Sequence, residues 1–160
     1  MKQLLIPLIM AALLLPANAM AQRILALTPH ACEMLYAIDA APQLVGAVSY
    51  CDYPAEAKQL PRVGSYERIN VEAALRLQPD IAIVMSRNVA GIDKLEKMGV
   101  KILVSNPTSF ESMFEDILRL GNLSERTVNA EHLVGQLRLR LQQVQAKQRS
   151  NTAVFYEVWH

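Results

Sequence analysis

The chain has little of what usually marks catalysis. Its 160 residues contain no glycine-rich phosphate loop, no nucleophile-elbow sequence around a serine and no histidine pair at helical zinc-binding spacing. These absences leave P-loop nucleotide chemistry, hydrolase chemistry and zincin chemistry without a starting residue, and Ser49 and Ser65 have no evident base partner. Net charge is scarce as well, with 16 basic residues against 15 acidic ones. A balance of +1 provides no electrostatic footprint for nucleic acid, so none is expected as a partner. The longest apolar run, Leu4 to Leu15, falls short of the roughly 20 residues that span a bilayer. No internal repeat or low-complexity tract is visible.

What is present begins with an export signal. Lys2, the apolar run and the small residues Ala17-Asn18-Ala19-Met20-Ala21 read as a secretory signal peptide over residues 1–21, cleaved before Gln22. No cysteine follows the small residues, so a lipid anchor has no attachment point. The mature chain is expected outside the cytoplasm. Its cleavage removes Lys2 and no acidic residue, taking the formal charge from +1 to 0.

Short apolar runs then alternate with helical patterns. Arg23–Leu27, Leu44–Val48, Ile81–Met85 and Lys101–Ser105 have the length and composition of buried strands. Thr28-Pro29 opens a helix to about Asp39, with Thr28 as its cap. Asn70 caps a helix over Val71–Leu77, a third runs from Val89 to Met98, and Thr108-Ser-Phe-Glu111 reads as a capping box for a helix ending at Gly121. Alternation of this kind predicts an α/β fold, a Rossmann-like lobe with a parallel sheet whose ligands collect at the strand carboxyl ends. From Ser124 to Arg149 the pattern becomes one long amphipathic helix with Leu133, Leu137, Leu141 and Val144 in its stripe. At about 1.5 Å per residue it would approach 40 Å, enough to join two lobes, although a surface helix packed on one lobe has the same pattern. Thr152–His160 reads as a β-strand that stops without its turn.

The loops after the second expected strand carry the most specific signal. Tyr50, Tyr53 and Tyr66 sit beside Pro54, Pro61 and Gly64, which places rings at a rim. The segments SYCDYP, LPRVGSY and INVEAALRLQPDIAIV, in that order and spacing, resemble the cobalamin-binding periplasmic receptors of ABC importers. The likeness covers essentially everything after residue 22. It implies a receptor of two α/β lobes on a rigid helical backbone, with 22–122 as the N-terminal lobe, 123–150 as the interlobe helix and 151–160 as the first strand of a second lobe missing from this sequence.

Several roles follow from the resemblance. Aromatic residues at the positions of Tyr50 and Tyr66 contact the ligand in that family, where position 66 is often a tryptophan and this chain has a smaller ring. A glutamate at the position of Glu72 pairs with arginine on the membrane permease; the dipole of the helix after Asn70 would also account for it. Trp159 and His160 would emerge at the cleft side of the second lobe, where one of them meets ligand. The implied partners are a corrinoid and an inner-membrane ABC permease, the implied location is the periplasm, and cobalamin is cargo, with no cofactor. A metal, haem or ferric-siderophore receptor of the same fold is the alternative, followed by an exported α/β enzyme fragment.

Tyr53 is expected to pack under its own loop, and Asp52 to bond backbone amides of that turn. Cys32 and Cys51, the only cysteines, follow strands at one sheet edge in an oxidising compartment, so a disulfide between them is predicted. A bond to a cysteine beyond this sequence and a free thiol are the alternatives. His30, Cys32 and Cys51 also have metal-ligand chemistry, but their spacing matches no standard zinc motif and no metal is expected. His132 falls on the long helix and reads as solvated.

Overall fold

The computed structural model describes residues 21–65 and 67–147. The signal-peptide and second-lobe expectations, with Tyr66, Trp159 and His160, fall outside the described residues. Within them the sheet has four parallel strands, β1 (Ile24–Ala26), β2 (Leu44–Ala47), β3 (Ile81–Val84) and β4 (Lys101–Val104), in the order β2-β1-β3-β4. The helices are α1 (Pro29–Ala37), α2 (Val71–Arg76), α3 (Ile92–Lys97), α4 (Phe110–Leu123) and α5 (Thr127–Lys147). This is the predicted Rossmann-like α/β arrangement.

The apolar runs are continuous because both faces of the sheet are covered. Successive side chains point to opposite faces. Ile24, Ala26, Ile81 and Ile83 pack against α1, α4 and α5 through Leu35, Phe114, Ile117, Leu120 and Val134. Leu25, Ala82 and Val84 pack on the other side against Ala74 of α2 and Ile92 and Leu95 of α3. Polar residues on either side of these strands would face a dry layer, and the sequence has none there.

Helix boundaries follow side-chain capping. Asn70 Oδ1 accepts from the Ala73 amide at 3.0 Å and starts α2 as predicted, a cap that contributes about 0.5–2 kcal/mol. At α4 the box is displaced by one residue: Ser109 is the cap and Ser112, not Glu111, completes it, each side chain meeting the other's backbone amide. The helix also runs past Gly121 to Leu123. That glycine is a crossing point, because a Cβ there would lie 2.4 Å from Ala130 Cβ on α5. Thr28 precedes α1 without a side-chain cap, its hydroxyl being engaged elsewhere.

The long helix is packed over its first part. Ala130 and Val134 are buried, and Leu133, Leu137 and Leu141 lie against the same core layer. Beyond Leu141 every described residue is exposed, Val144 included. Arg138 lies over the Phe114 ring at 5.2 Å and pairs with Glu111, fastening α5 to α4. Among the described residues no helix is long and apolar enough to cross a membrane.

Candidate ligand-binding face

Strand order decides where a ligand can sit. From β1 the chain moves to β2 on one side, then returns past β1 to β3 and β4 on the other, so the direction of winding reverses between β1 and β3. Loops at the carboxyl ends part at such a point and leave a crevice. The segments there are Thr28 to His30, Val48 to Tyr53, Met85 and Ser105 to Phe110.

Exposed large apolar side chains gather on these segments. Tyr50 is 60% exposed, Tyr53 70%, Phe110 61% and Met85 37%. Such surface usually stays buried unless something is meant to cover it. Tyr50 is where the sequence placed it. Tyr53 does not pack under its loop: its ring points outward because the loop's interior is filled by Arg62 and the disulfide. Met85 follows β3 on this face and Phe110 opens α4 at its margin, lining a hollow with Met113, Phe114, Leu137 and Leu141; neither was singled out as a contact, since neither differs in sequence from a core residue at the end of a strand or the start of a helix.

Arg62 organises the Tyr50 loop. Its guanidinium donates to the carbonyls of Val48 at 2.8 Å, Cys51 at 3.0 Å and Ala57 at 3.2 Å, and lies 3.7 Å from Asp52 Oδ1. The Val48 and Ala57 carbonyls also accept from the Cys51 and Leu60 amides, so the fork adds a second donor to each and supplies the donor for Cys51, drawing three points of the loop together. Asp52 therefore serves this arginine instead of the backbone amides expected of it. Ser49 adds a second tie, its amide and hydroxyl both donating to the Gly64 carbonyl at 2.9 Å. Gly64 has φ +130°, which L side chains rarely adopt, and a Cβ would meet the Arg68 carbonyl at 2.4 Å. Tyr66 follows two residues later, outside the described residues.

Cys32 and Cys51 are bonded to each other, with Cα atoms 6.1 Å apart and both residues fully buried. The predicted disulfide is present and joins α1 to the Tyr50 loop. Its two sulfurs are thereby spent, so the His30, Cys32 and Cys51 ligand set is not assembled. Among the described residues no three His, Cys, Asp or Glu side chains come together in a way that could hold a metal ion. His132 is exposed on α5.

His30 itself is part of a polar chain across the sheet edge. Thr28 Oγ1 lies 2.6 Å from Nδ1, Ser105 Oγ lies 3.0 Å from Nε2, and Ser105 Oγ donates to Asp116 Oδ2 at 2.7 Å. With its proton given to Asp116, the Ser105 hydroxyl accepts from Nε2–H, and Nδ1 accepts from Thr28. Arg119 closes the chain by pairing with Asp116 and donating to the Val104 carbonyl at 2.6 Å. Burial lowers the His30 pKa from its ordinary 6.5, opposed more weakly by the Ser105 backbone contact, Asp116 and Glu33. Glu72 stands exposed in the first turn of α2, where the helix amides favour a carboxylate.

The family pattern for periplasmic binding proteins matches residues 24–159, nearly the whole of this α/β chain. The chain belongs to the periplasmic binding protein family. Among relatives of this periplasmic binding protein is the vitamin B12-binding protein of Vibrio campbellii, 30% identical over 142 residues, which are 88% of this chain and 52% of the relative. The crystal structure of the periplasmic vitamin B12 binding protein BtuF of Vibrio cholerae superposes with a TM-score of 0.74 at 32% identity, covering 82% of this chain and 52% of that one. The periplasmic heme binding protein HutB of the same organism reaches a TM-score of 0.73 at 22% identity over 82% of this chain and 52% of its own, a likeness of fold alone. The chain thus spans about half the length of the curated relatives it matches.

Proposed function

We propose that this periplasmic binding protein captures cobalamin or a related corrinoid at the face carrying Tyr50 and delivers it to an inner-membrane ABC permease. The observation that carries the reading is Tyr50 itself, a mostly exposed ring on the loop after β2, held by Arg62 and a disulfide one strand away from where the sheet reverses its winding. A corrin has apolar faces and an amide-rich edge, and a tyrosine meets both with ring and hydroxyl. Relatives named for vitamin B12 binding favour this cargo over haem, for which the likeness is of fold alone. Tyr66, Trp159 and His160 complete the contact set on this reading, with the last two contributed from the far side of the cleft. No bond is made or broken, and the protein holds no cofactor of its own. Residues 1–21 direct export to the periplasm and are removed there.

Glu72 belongs to delivery. Exposed in the first turn of α2, it suits an arginine on the permease, and paired charges across such an interface set orientation and encounter rate. Replacing it with alanine leaves ligand affinity unchanged and slows uptake by the reconstituted transporter.

The test is a titration of the full-length two-lobe protein with cyanocobalamin, haem and zinc, followed by absorbance and calorimetry. Saturable binding of cyanocobalamin, weakened about 2- to 13-fold by Tyr50→Ala for one lost ring contact, supports the reading. Binding of haem or zinc in preference to cyanocobalamin, or indifference to Tyr50→Ala, overturns it.

A further inference from the structure

The first turn of α1 is the only described segment that touches both sides of the exposed apolar face through bonds more specific than packing. On one side Cys32 is joined to Cys51, next to Tyr50. On the other, His30 reaches Ser105, whose hydroxyl goes on to Asp116 of α4, and five residues after Ser105 stands Phe110. Thr28 and Ser105 follow β1 and β4, which are not neighbours, since β3 lies between them. The two ladders through β3 hold those tips two strands apart, and the His30 bridge ties them directly. We propose that the first turn of α1 is the positioning unit of the ligand face, with Cys32 holding the Tyr50 side covalently and His30 holding the Ser105–Phe110 side by hydrogen bonds. This rests on the reading of that face as the ligand site.

The two attachments respond to different things. Thr28, Cys32, Cys51 and Ser105 are fully buried, so water does not compete for their contacts. In the neutral ring Nδ1 accepts from Thr28 while Nε2–H donates to Ser105. A second proton keeps the Nε2–H bond but turns Nδ1 into a donor, so the fully buried Thr28 hydroxyl must rotate to accept and its own hydrogen loses its acceptor. The charged groups around the ring are Asp116, backed by Arg119, on α4 and Glu33 on α1. The carboxylates soften that cost, and burial, the larger effect, opposes them. Acid therefore disturbs the bridge to the Ser105–Phe110 side at its Thr28 end and leaves the Tyr50 side in place, while reductant releases the Tyr50 side and leaves the bridge. His30 touches no ligand in this scheme and is a positioning residue.

The experiment uses the 160-residue chain labelled with 15N and titrated from pH 7 to pH 5 with and without reductant, in the wild type, His30→Gln and His30→Ala. Gln keeps an N–H for Ser105 and cannot titrate. The expected wild-type result is a neutral His30 ring carrying its proton on Nε2, and amide signals of residues 105–110 that move as His30 protonates below its ordinary 6.5. Reduction moves Tyr50 to Asp52 and leaves 105–110 in place. His30→Gln holds the 105–110 signals at their pH 7 positions throughout, and His30→Ala displaces them at both ends of the range. Signals of 105–110 that ignore the His30 titration, or that move on reduction as much as Tyr50 does, overturn the proposal. If His30→Ala does not fold, the wild-type and His30→Gln titrations decide alone. In a parallel arm, cyanocobalamin binds the wild type about 2- to 13-fold more weakly at pH 5 than at pH 7, the factor for one hydrogen bond, and His30→Gln equally at both. Cyanocobalamin affinity that falls equally in both proteins overturns the link to the face. No binding at any pH by the full-length two-lobe protein sinks the corrinoid reading, while the amide titration still decides the positioning.

Discussion

Opening the Cys32–Cys51 bond tests how much of the lobe's stability comes from a single covalent tie. The bond spans 19 positions of sequence, a closed loop of about 20 residues. In the chain-entropy model such a loop removes about 11 cal/mol/K from the unfolded ensemble, or about 3 kcal/mol at room temperature. Against a typical total of about 5–15 kcal/mol this is a large share. With a urea dependence of about 1–3 kcal/mol per molar, reduction should lower the unfolding midpoint by about 1–3 M. The assay is equilibrium urea unfolding followed by far-UV circular dichroism, with and without reductant, and with the double variant Cys32→Ala/Cys51→Ala as a second sample. The slope of the transition distinguishes the two ways of losing stability. Release of a chain constraint leaves the core packed, even as the Tyr50 loop loosens, and makes the unfolded state more expanded, so the slope should rise slightly as the midpoint falls. Mass spectrometry of the folded, unreduced protein should find neither sulfur open to alkylation. An unchanged midpoint after verified reduction would refute the entropic argument, and alkylation of both residues without reductant would refute the bond.

Three further outcomes follow from individual contacts. Arg62→Met leaves the carbonyls of Val48, Cys51 and Ala57 without their shared donor, and should cost about 2–4 kcal/mol in denaturant unfolding, with hydrogen exchange rising first around Tyr50; an effect below 0.5 kcal/mol would mean that the loop does not depend on this side chain. Gly121→Ala drives a methyl to 2.4 Å from Ala130 Cβ and should destabilise by about 1–3 kcal/mol in the same assay, and adding Ala130→Gly should recover most of it; no recovery would place the strain elsewhere. The lowered pKa of His30 makes the unfolded chain the better proton acceptor, so stability is full above pH 6.5 and is lost as pH falls through the folded-state value; unfolding at stepped pH should show His30→Gln losing less than the wild type between pH 7 and pH 5, and identical losses would exclude the histidine as a source.

The described part of the fold was largely readable because a parallel sheet covered on both faces leaves an unusually plain trace. Ile24–Ala26 and Ile81–Val84, the two central strands, are apolar without interruption, since no residue of theirs faces water. Asn70 could be recognised as a cap because its partner, the Ala73 amide, is three residues away. Glu111 and Gly121 misled for the same local reason. Either of two adjacent Ser/Thr-led boxes would satisfy the first turn of α4, and a glycine that ends helices elsewhere was required here by the approach of another helix.

The candidate site divides in the same way. Exposure of Tyr50 and the bond between Cys32 and Cys51 could be anticipated from loop residues, strand ends and an oxidising compartment. The outward turn of Tyr53, the grip of Arg62 on three carbonyls and the His30–Ser105–Asp116 chain could not. Residue types and their spacing alone therefore determined alternating strands and helices and a tyrosine-bearing rim, because each rests on interactions within a few positions or on a repeating apolar period. Tertiary structure decided which side chains hold that rim. His30 and Ser105 are 75 positions apart, and only the winding of β1, β3 and β4 into one sheet brings a histidine and a serine with no local signal into hydrogen-bonding distance.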